Sequence, residues 1–203
     1  MKTFEYICAG CGEVHRGAPS FSFRYPSPYF DVPEDQREAR VRATDDFCEI
    51  APDGNDPDGH RFYFIRVVLD VPIVGADEPF RWGVWVTQSA EAFARYVETY
   101  QQDQSQDGNF GWLMVDLPVY NRAEAGAYLE SLECDIQWGA AGQRPKAVLW
   151  ESDHPLAIDQ QNGIDWTAPL RLPISPLHNL VDAETKKGRT EVQPFCFGSA
   201  RTD

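Results

Sequence analysis

The residues best suited to chemistry lie near the N-terminus, in the stretch Cys8-Ala-Gly-Cys11-Gly-Glu-Val-His15. In a Cys-x-x-Cys-Gly turn, two sulfurs can face one point, and the glycine lets the backbone adopt a positive φ. His15 follows closely enough to supply a third metal ligand. The spacing therefore predicts a zinc site that includes Cys8, Cys11 and His15. Structural zinc takes four ligands, so one more group must come from elsewhere in the chain.

Cys48 is the predicted fourth ligand. It lies at the centre of a predicted strand, residues 46–50, and its neighbour Phe47 should point to the opposite face of that strand. His154 and Cys134 are the alternatives for this position. Cys134, however, alternates with apolar residues over 132–138, which favours a place in the core.

Two other interpretations of the Cys-x-x-Cys motif stay open. One is a redox-active dithiol, but such a motif should begin a helix, and Gly12 and Gly17 discourage a helix here. The other is no site at all, since free cysteines are often small buried hydrophobic residues. If zinc binds, four protein ligands favour a structural metal, whereas a catalytic zinc keeps one position for water.

Asp153 and His154 form a possible additional site just before a predicted helix, residues 155–161. A carboxylate beside an imidazole can orient a histidine that acts as a base or a ligand. The simpler interpretation is that Ser152 or Asp153 caps the helix. Two glycines next to indoles, in Trp82-Gly-Val-Trp85 and Phe110-Gly-Trp112, allow either a ligand groove or close packing within the core.

The elements that must position these residues are mainly strands. Apolar or alternating runs predict strands at residues 3–7, 46–50, 62–71, 80–87, 110–117, 132–138 and 145–150. Helices are predicted over 34–41 and 90–101 as well as 155–161, and residues 17–33 are predicted to form an ordered loop. The fold class is α+β, a mainly antiparallel sheet with a few short helices and an N-terminal zinc-knuckle-like turn. We expect one domain over residues 1–164 and an irregular, proline-containing C-terminal extension over 165–203.

Charge and cysteine content restrict the function. The 203-residue chain carries 32 acidic and 18 basic side chains, a formal net charge of −14. Nucleic acids and anionic membranes are therefore not expected as partners. The simplest interpretation of the acidity is solubility in the cytosol, and the alternative is an acidic face that binds a basic protein. We expect a cytoplasmic protein for three reasons. The number of cysteines is odd, the N-terminus is too polar for a signal peptide, and no apolar run is long enough to span a membrane. The sequence does not indicate an oligomeric state.

Several stretches together resemble an uncharacterised bacterial family, domain of unknown function 2199. They run in the family's order over residues 4–164 and comprise Cys8-Ala-Gly-Cys11-Gly-Glu-Val-His15-Arg-Gly17-Ala-Pro19, Asp46-Phe-Cys48-Glu-Ile50, Phe64-Ile-Arg66, Trp82-Gly-Val-Trp85-Val, Phe110-Gly-Trp112-Leu, Arg144-Pro145 and Asp153-His154-Pro-Leu-Ala157. The resemblance implies that Cys8, Cys11, His15 and Cys48 belong to one pattern, and it includes His154 in a motif. It implies no activity.

The leading hypothesis is thus a bacterial cytoplasmic protein with a structural zinc that acts by binding another protein, in an immunity-like or regulatory role. The alternative is a metal-assisted hydrolase with an open zinc position and His154 as base or ligand. No array of catalytic side chains stands out in the sequence, which favours the binding protein over the enzyme.

Overall fold

The structure is a computed structural model that describes residues 5–7, 14–16, 20–56, 59–117, 120, 132–165 and 192–194. Within these ranges the chain forms three α-helices, a short 3₁₀ helix at Ser27–Tyr29, and eleven strands. The strands are β1 (Glu5–Ile7), β2 (Val14–Arg16), β3 (Ser20–Phe23), β4 (Val41–Ala43), β5 (Phe47–Ile50), β6 (Phe62–Val71), β7 (Phe80–Gln88), β8 (Gly108–Trp112), β9 (Glu133–Gln137), β10 (Lys146–Leu149) and β11 (Val192–Pro194). The helices are α1 (Glu34–Arg40), α2 (Ala90–Thr99) and α3 (Pro155–Asn162).

Two sheets result. β1 and β2 form a separate antiparallel pair, and the other nine strands form one sheet. Seven of the nine follow the order β11-β3-β7-β6-β10-β9-β8, and β4 and β5 branch from it, since β4 pairs with β5 and β5 pairs with β6. β6 is the centre of the larger sheet because one of its edges pairs with β7 along nine positions. Its other edge is shared, with β5 pairing along Phe62–Ile65 and β10 meeting it at Val68. An isolated bridge between Leu113 and Val86 also connects the chain after β8 to β7.

β6 and β7 carry mostly apolar side chains on both faces because both faces are covered. On one face Tyr63 packs against Phe93 of α2, with ring centroids 5.0 Å apart. Phe47 of β5 packs on the same helix. α2 begins at Ala90, where the Ser89 side chain accepts a hydrogen bond from the Ala92 N–H at 3.1 Å. α3 contributes Leu156 and Ala157 to the same core.

The α+β class is confirmed, and the sheet is mainly antiparallel as predicted. It is nevertheless mixed, since β3 runs parallel to β7 and β10 runs parallel to β6. The prediction of a loop over residues 17–33 is wrong at β3, which lies next to a central strand of the sheet. Its sequence, Ser-Phe-Ser-Phe, is a short alternating pattern that the surrounding glycines and prolines conceal.

Other predicted elements are present with shifted ends. The first helix stops at Arg40 and not at residue 41, because Val41 has an extended backbone and begins β4. The strand predicted at residues 110–117 ends at Trp112 and begins earlier, at Gly108. β11 was not predicted; it lies within residues 165–203 and pairs antiparallel with β3. No helix in the described parts of the chain is both long and apolar enough to span a bilayer.

Candidate functional site

The N-terminal hairpin carries the predicted metal motif. Ile7 of β1 pairs with Val14 of β2, and Tyr6 pairs with His15. Cys8 and Cys11 belong to the connection between these strands and lie outside the described residues, as does the predicted zinc-knuckle-like turn. The pairing brings the two ends of the Cys-x-x-Cys segment together, and His15 is the second residue of the returning strand. The proposed ligand set therefore stays a prediction.

Cys48 lies in the interior of the large sheet. Its side chain has no solvent exposure, and its strand neighbour Phe47 packs against α2 on the opposite face, as the alternation predicts. Burial, with the adjacent Glu49 carboxylate, raises the pKa of the Cys48 thiol to about 12. Among the described residues, no group of three or more His, Cys, Asp or Glu side chains is placed to hold a metal ion. A metal at Cys48 would thus draw on residues outside that part of the chain.

Cys134 is a core residue, as its alternation predicts. It is fully buried in β9, and its Sγ donates a hydrogen bond to the Gly111 carbonyl oxygen on β8 at 3.3 Å. Burial also raises the pKa of its thiol to about 12, with the Asp135 carboxylate as the second cause. Cys48 and Cys134 are therefore matched in burial and in thiol pKa.

His154 is the N-cap of α3. Its Nδ1 accepts a hydrogen bond from the Leu156 N–H at 3.1 Å, so the cap is the imidazole itself and not Ser152 or Asp153. Ser152 has a supporting role, since its hydroxyl accepts a hydrogen bond from the His154 N–H at 3.4 Å. Asp153 is exposed. The hydrogen bond to the first turn of α3 thus orients the imidazole. The sequence analysis predicted a helix cap here correctly but assigned it to Ser152 or Asp153, which precede His154.

A buried arginine and tryptophan occupy the centre of one sheet face. Arg66 of β6 and Trp85 of β7 are directly paired, and the guanidinium carbon lies 4.9 Å from the Trp85 ring centroid. The Phe23 carbonyl oxygen accepts from both side chains, with the indole Nε1 at 2.9 Å. Burial, reinforced by the positive charge of Arg144, lowers the pKa of Arg66 to about 10. Chain segment 23–24 therefore closes this face.

The same face is open further along the sheet. Phe110 and Trp112 on β8, with Val148 and Trp150 at β10, form what we call the outer aromatic surface. The exposed fractions are 42% for Trp112, 41% for Val148 and 46% for Trp150. Phe110 lies between the two indoles, with ring centroids 4.4 Å from Trp112 and 5.1 Å from Trp150. Exposed rings that contact one another form a continuous apolar patch and not scattered single residues.

Two carboxylates of β9, the strand between β8 and β10, lie on the outer aromatic surface. Asp135 of β9 pairs with both Phe110 and Val148, and its carboxylate accepts a hydrogen bond from the Trp150 indole at 3.0 Å. Glu133 pairs with Trp112, and its carbonyl oxygen accepts the Trp150 backbone N–H at 2.9 Å. The surface is therefore both aromatic and acidic.

A cavity of about 590 Å³ lies beside β6, between residues 28–32 and the connection from β5 to β6. Ile50 and Phe62, which pair across these strands, line it. Arg40 reaches its rim, where Nε donates to the Ala51 carbonyl oxygen at 3.1 Å and Nη1 lies 3.8 Å from the Asp53 carboxylate. The charged groups at the rim thus engage one another.

A family model described as an uncharacterized protein conserved in bacteria, domain of unknown function 2199, matches residues 7–164. The chain belongs to this family. A search of curated proteins found no match, and a search of solved structures found none either.

Several residues from the stretches that resemble the family meet around the buried arginine. The Arg66 backbone N–H donates to the Asp46 carbonyl oxygen at 2.9 Å, and Arg144 Nε lies 2.5 Å from the Asp46 carboxylate. Trp85 stacks under the same guanidinium. These residues join three separate parts of the sheet, so their position indicates a structural role.

The sequence reasoning missed the outer aromatic surface. The signal was present in the alternation of residues 132–138, which places Glu133 and Asp135 on the exposed side of β9. In the same way, Val148 alternates with buried Ala147 and Leu149. What the sequence lacks is the pairing of β9 with both β8 and β10, which brings the rings of two distant segments onto one surface.

Proposed function

We propose that this protein acts by binding a basic protein through the outer aromatic surface, in an immunity-like or regulatory role. The observation that supports this proposal is that the exposed rings of Trp112 and Trp150 both contact the half-buried Phe110 ring on one sheet face. Aromatic residues, and Trp above all, contribute a large share of binding energy at protein interfaces. The chain's formal net charge of −14 favours a basic partner.

The partner is sought by site-specific photo-cross-linking in the native host. A photoreactive benzoylphenylalanine replaces Val148 on the outer aromatic surface and, as the matched control, Phe62, which is 52% exposed outside it. A protein joined only through position 148 is expected, and the purified partner should then bind the purified chain. Equal products from both positions, or none from either, would contradict the proposed function.

We also propose a structural zinc held by Cys8, Cys11, His15 and Cys48. The pairing of Ile7 with Val14 supports it, because a closed hairpin suits a tight Cys-x-x-Cys turn. Such a metal would join the N-terminal hairpin to β5 of the large sheet. It would also keep the bound thiols deprotonated, whereas burial alone keeps the Cys48 thiol protonated.

Metal content with matched cysteine variants tests the zinc site. We expect one zinc per chain in the wild type and a melting temperature that falls by several degrees or more after chelation, since bound zinc contributes directly to folding. Cys48→Ser should lower zinc content, whereas Cys134→Ser, an equally buried thiol, should retain it. A protein without metal, or one in which both variants keep full zinc, contradicts the four-ligand site.

The metal-assisted hydrolase is the second candidate. It requires an open zinc position with His154 as base or ligand, and the Nδ1 hydrogen bond to Leu156 holds the imidazole in one orientation. Cys48→Ser separates the two functions. If this variant keeps its zinc but loses a hydrolytic activity of the wild type, the structural assignment of the metal fails.

Location and domain organisation complete the proposal. The odd number of cysteines suits a reducing cytoplasm. We propose one domain over residues 1–164, with residues 165–203 as an extension. The pairing of β11 with β3 ties part of that extension to the sheet edge.

A further inference from the structure

The exposed face of β8, β9 and β10 is a regular grid. Pairing across the three strands aligns Gly108, Gln137 and Lys146 in one row and Phe110, Asp135 and Val148 in the next. Trp112, Glu133 and Trp150 form the last row, since the pairing continues through the hydrogen bond from the Trp150 N–H to the Glu133 carbonyl oxygen. Side chains directly opposite one another on neighbouring strands are about 5 Å apart at Cβ. Glu133 is therefore the neighbour, in the strand register, of both Trp112 and Trp150, whose indoles are exposed.

The Glu133 carboxylate has no hydrogen bond or ion pair with any side chain in the described parts of the chain. Its neighbour Asp135 differs, because that carboxylate accepts the Trp150 indole N–H. Lys146 is the cation of this grid, and its ammonium group bonds Asp70 Oδ2 at 2.8 Å. The row with the two indoles thus presents a negative charge with no cation of the described chain beside it.

Arginine recurs over aromatic rings in this chain, but not over these indoles. The four described contacts place Arg24 over Tyr25, Arg37 over Tyr29, Arg66 over Trp85 and Arg95 over Trp138. No described cation lies over Trp112 or Trp150. Tryptophan attracts cations most strongly among the aromatic side chains, and a guanidinium can stack on a ring while it donates to a carboxylate.

We propose that the row Trp112, Glu133 and Trp150 binds an arginine side chain from a basic segment of the partner protein. The guanidinium stacks against an indole and donates hydrogen bonds to the Glu133 carboxylate. Arginine suits this place better than lysine, because its planar group can do both at once. Exposed Glu151 and Asp153, which follow Trp150 in the chain, favour further basic residues beside it. This inference rests on the proposed binding function and specifies the chemistry of its partner.

Calorimetric titration of the purified full chain tests the proposal. The probe is a nine-residue peptide with three arginines, and the control is the same peptide with citrulline, which keeps the shape but removes the charge. We expect the arginine peptide to bind saturably and to weaken as salt rises from about 50 to 300 mM. The citrulline peptide should bind at least tenfold more weakly.

Variants locate the binding to this row. Trp112→Ala and Trp150→Ala should each weaken the arginine peptide tenfold or more. Glu133→Gln should weaken it several-fold and Glu133→Lys should abolish it; Phe62→Ala, at an exposed ring elsewhere, should leave it unchanged. Because Glu133 is exposed, its variants should fold normally, which keeps the test valid even if a tryptophan variant does not fold.

Four results would overturn the inference. Equal binding of the citrulline peptide removes the role of charge, and full binding by Glu133→Lys removes this row as the site. If acrylamide fails to quench the Trp112 and Trp150 fluorescence of the free protein, another segment of the chain already covers the indoles. If a partner cross-linked at position 148 binds Glu133→Lys normally, the arginine site is wrong while the binding function stands.

Discussion

Two tryptophan clusters lie on the same face of one sheet, yet they differ in every contact that matters. At Trp85 the indole is fully buried, a guanidinium lies over the ring, and a backbone carbonyl accepts the Nε1 proton. At Trp150 the indole is 46% exposed and donates only to Asp135, on the same surface. The same residue type on the same face thus stabilises the fold in one place and is available for binding in the other.

The difference arises from what covers each strand pair. Over β6 and β7, chain segment 23–24 supplies the carbonyl oxygens that accept hydrogen bonds from Arg66 Nη2 and Trp85 Nε1. Over β8, β9 and β10, no segment in the described part of the chain supplies equivalent partners to Trp112 and Trp150. A buried polar group without a hydrogen-bond partner destabilises the fold. An exposed polar group can bond to water until a ligand replaces that water.

The two clusters should differ most in how much stability the protein loses when the indole of each is removed. Trp85→Ala should lower the free energy of unfolding by about 3–5 kcal/mol, because it leaves a cavity and takes the ring from beneath Arg66. Trp150→Ala should cost about 1 kcal/mol or less, since half of the side chain already meets water. Urea denaturation of both variants measures the two values. Similar losses would mean that the outer aromatic surface is a structural part of the core.

Substitution of the glycines next to the two clusters should lower the free energy of unfolding by an intermediate amount. A Cβ on Gly111 would lie 2.6 Å from the Thr87 carbonyl oxygen, and one on Gly83 would lie 2.7 Å from Ser22 Cβ. Gly111→Ala and Gly83→Ala should therefore each cost about 1–3 kcal/mol, because backbone or strand must shift. Gly54→Ala is the control, since nothing lies within 4 Å of its Cβ. If Gly111→Ala is neutral in denaturation, β8 is not held against β7 as described.

The smallest expected effect concerns the buried side of β9, directly behind the outer aromatic surface. The Cys134 thiol pKa is raised from 9.0 to about 12, so the folded chain holds this proton more tightly than the unfolded chain. The resulting stability is complete below pH 9 and is lost as pH rises toward 12. Relative to Cys134→Ala, the wild type should therefore lose stability between about pH 9 and 11, by roughly 1 kcal/mol or more.

Denaturation at pH 7, 9 and 10.5 measures that difference. Cys48 titrates alike in both proteins and cancels in the comparison. A constant difference across the three pH values would indicate that water reaches the Cys134 thiol, and thus that β9 is open on both faces.

Local patterns predicted much of the sheet. The boundaries of β6 were predicted correctly because a run of ten residues, all apolar or aromatic except Arg66 and Asp70, is flanked by turn formers. Alternation in β9 correctly placed Cys134 inside and Glu133 outside. β3 was missed because its four residues lie among glycines and prolines, and only its pairing with β7 holds them extended. Propensity over so short a segment is weaker than the tertiary contacts that decide it.

For the candidate sites too, local sequence predicted some features and missed others. The cysteine spacing by itself predicts the metal motif at Cys8 and Cys11, because ligand geometry there depends on a local turn. His154 shows the limit of such reasoning, since the sequence indicated a helix cap but not that the imidazole forms it.

By itself the sequence determined the α+β class, the strong negative charge, the Cys-x-x-Cys spacing and the family to which the chain belongs. Only the tertiary structure decided that Arg66 meets Trp85 in the interior, and that Glu133 lies between Trp112 and Trp150 at the surface. The physical reason is strand pairing. Period-two alternation fixes which face each side chain takes, but the sheet order decides which distant residues become neighbours on it, and whether another segment covers them.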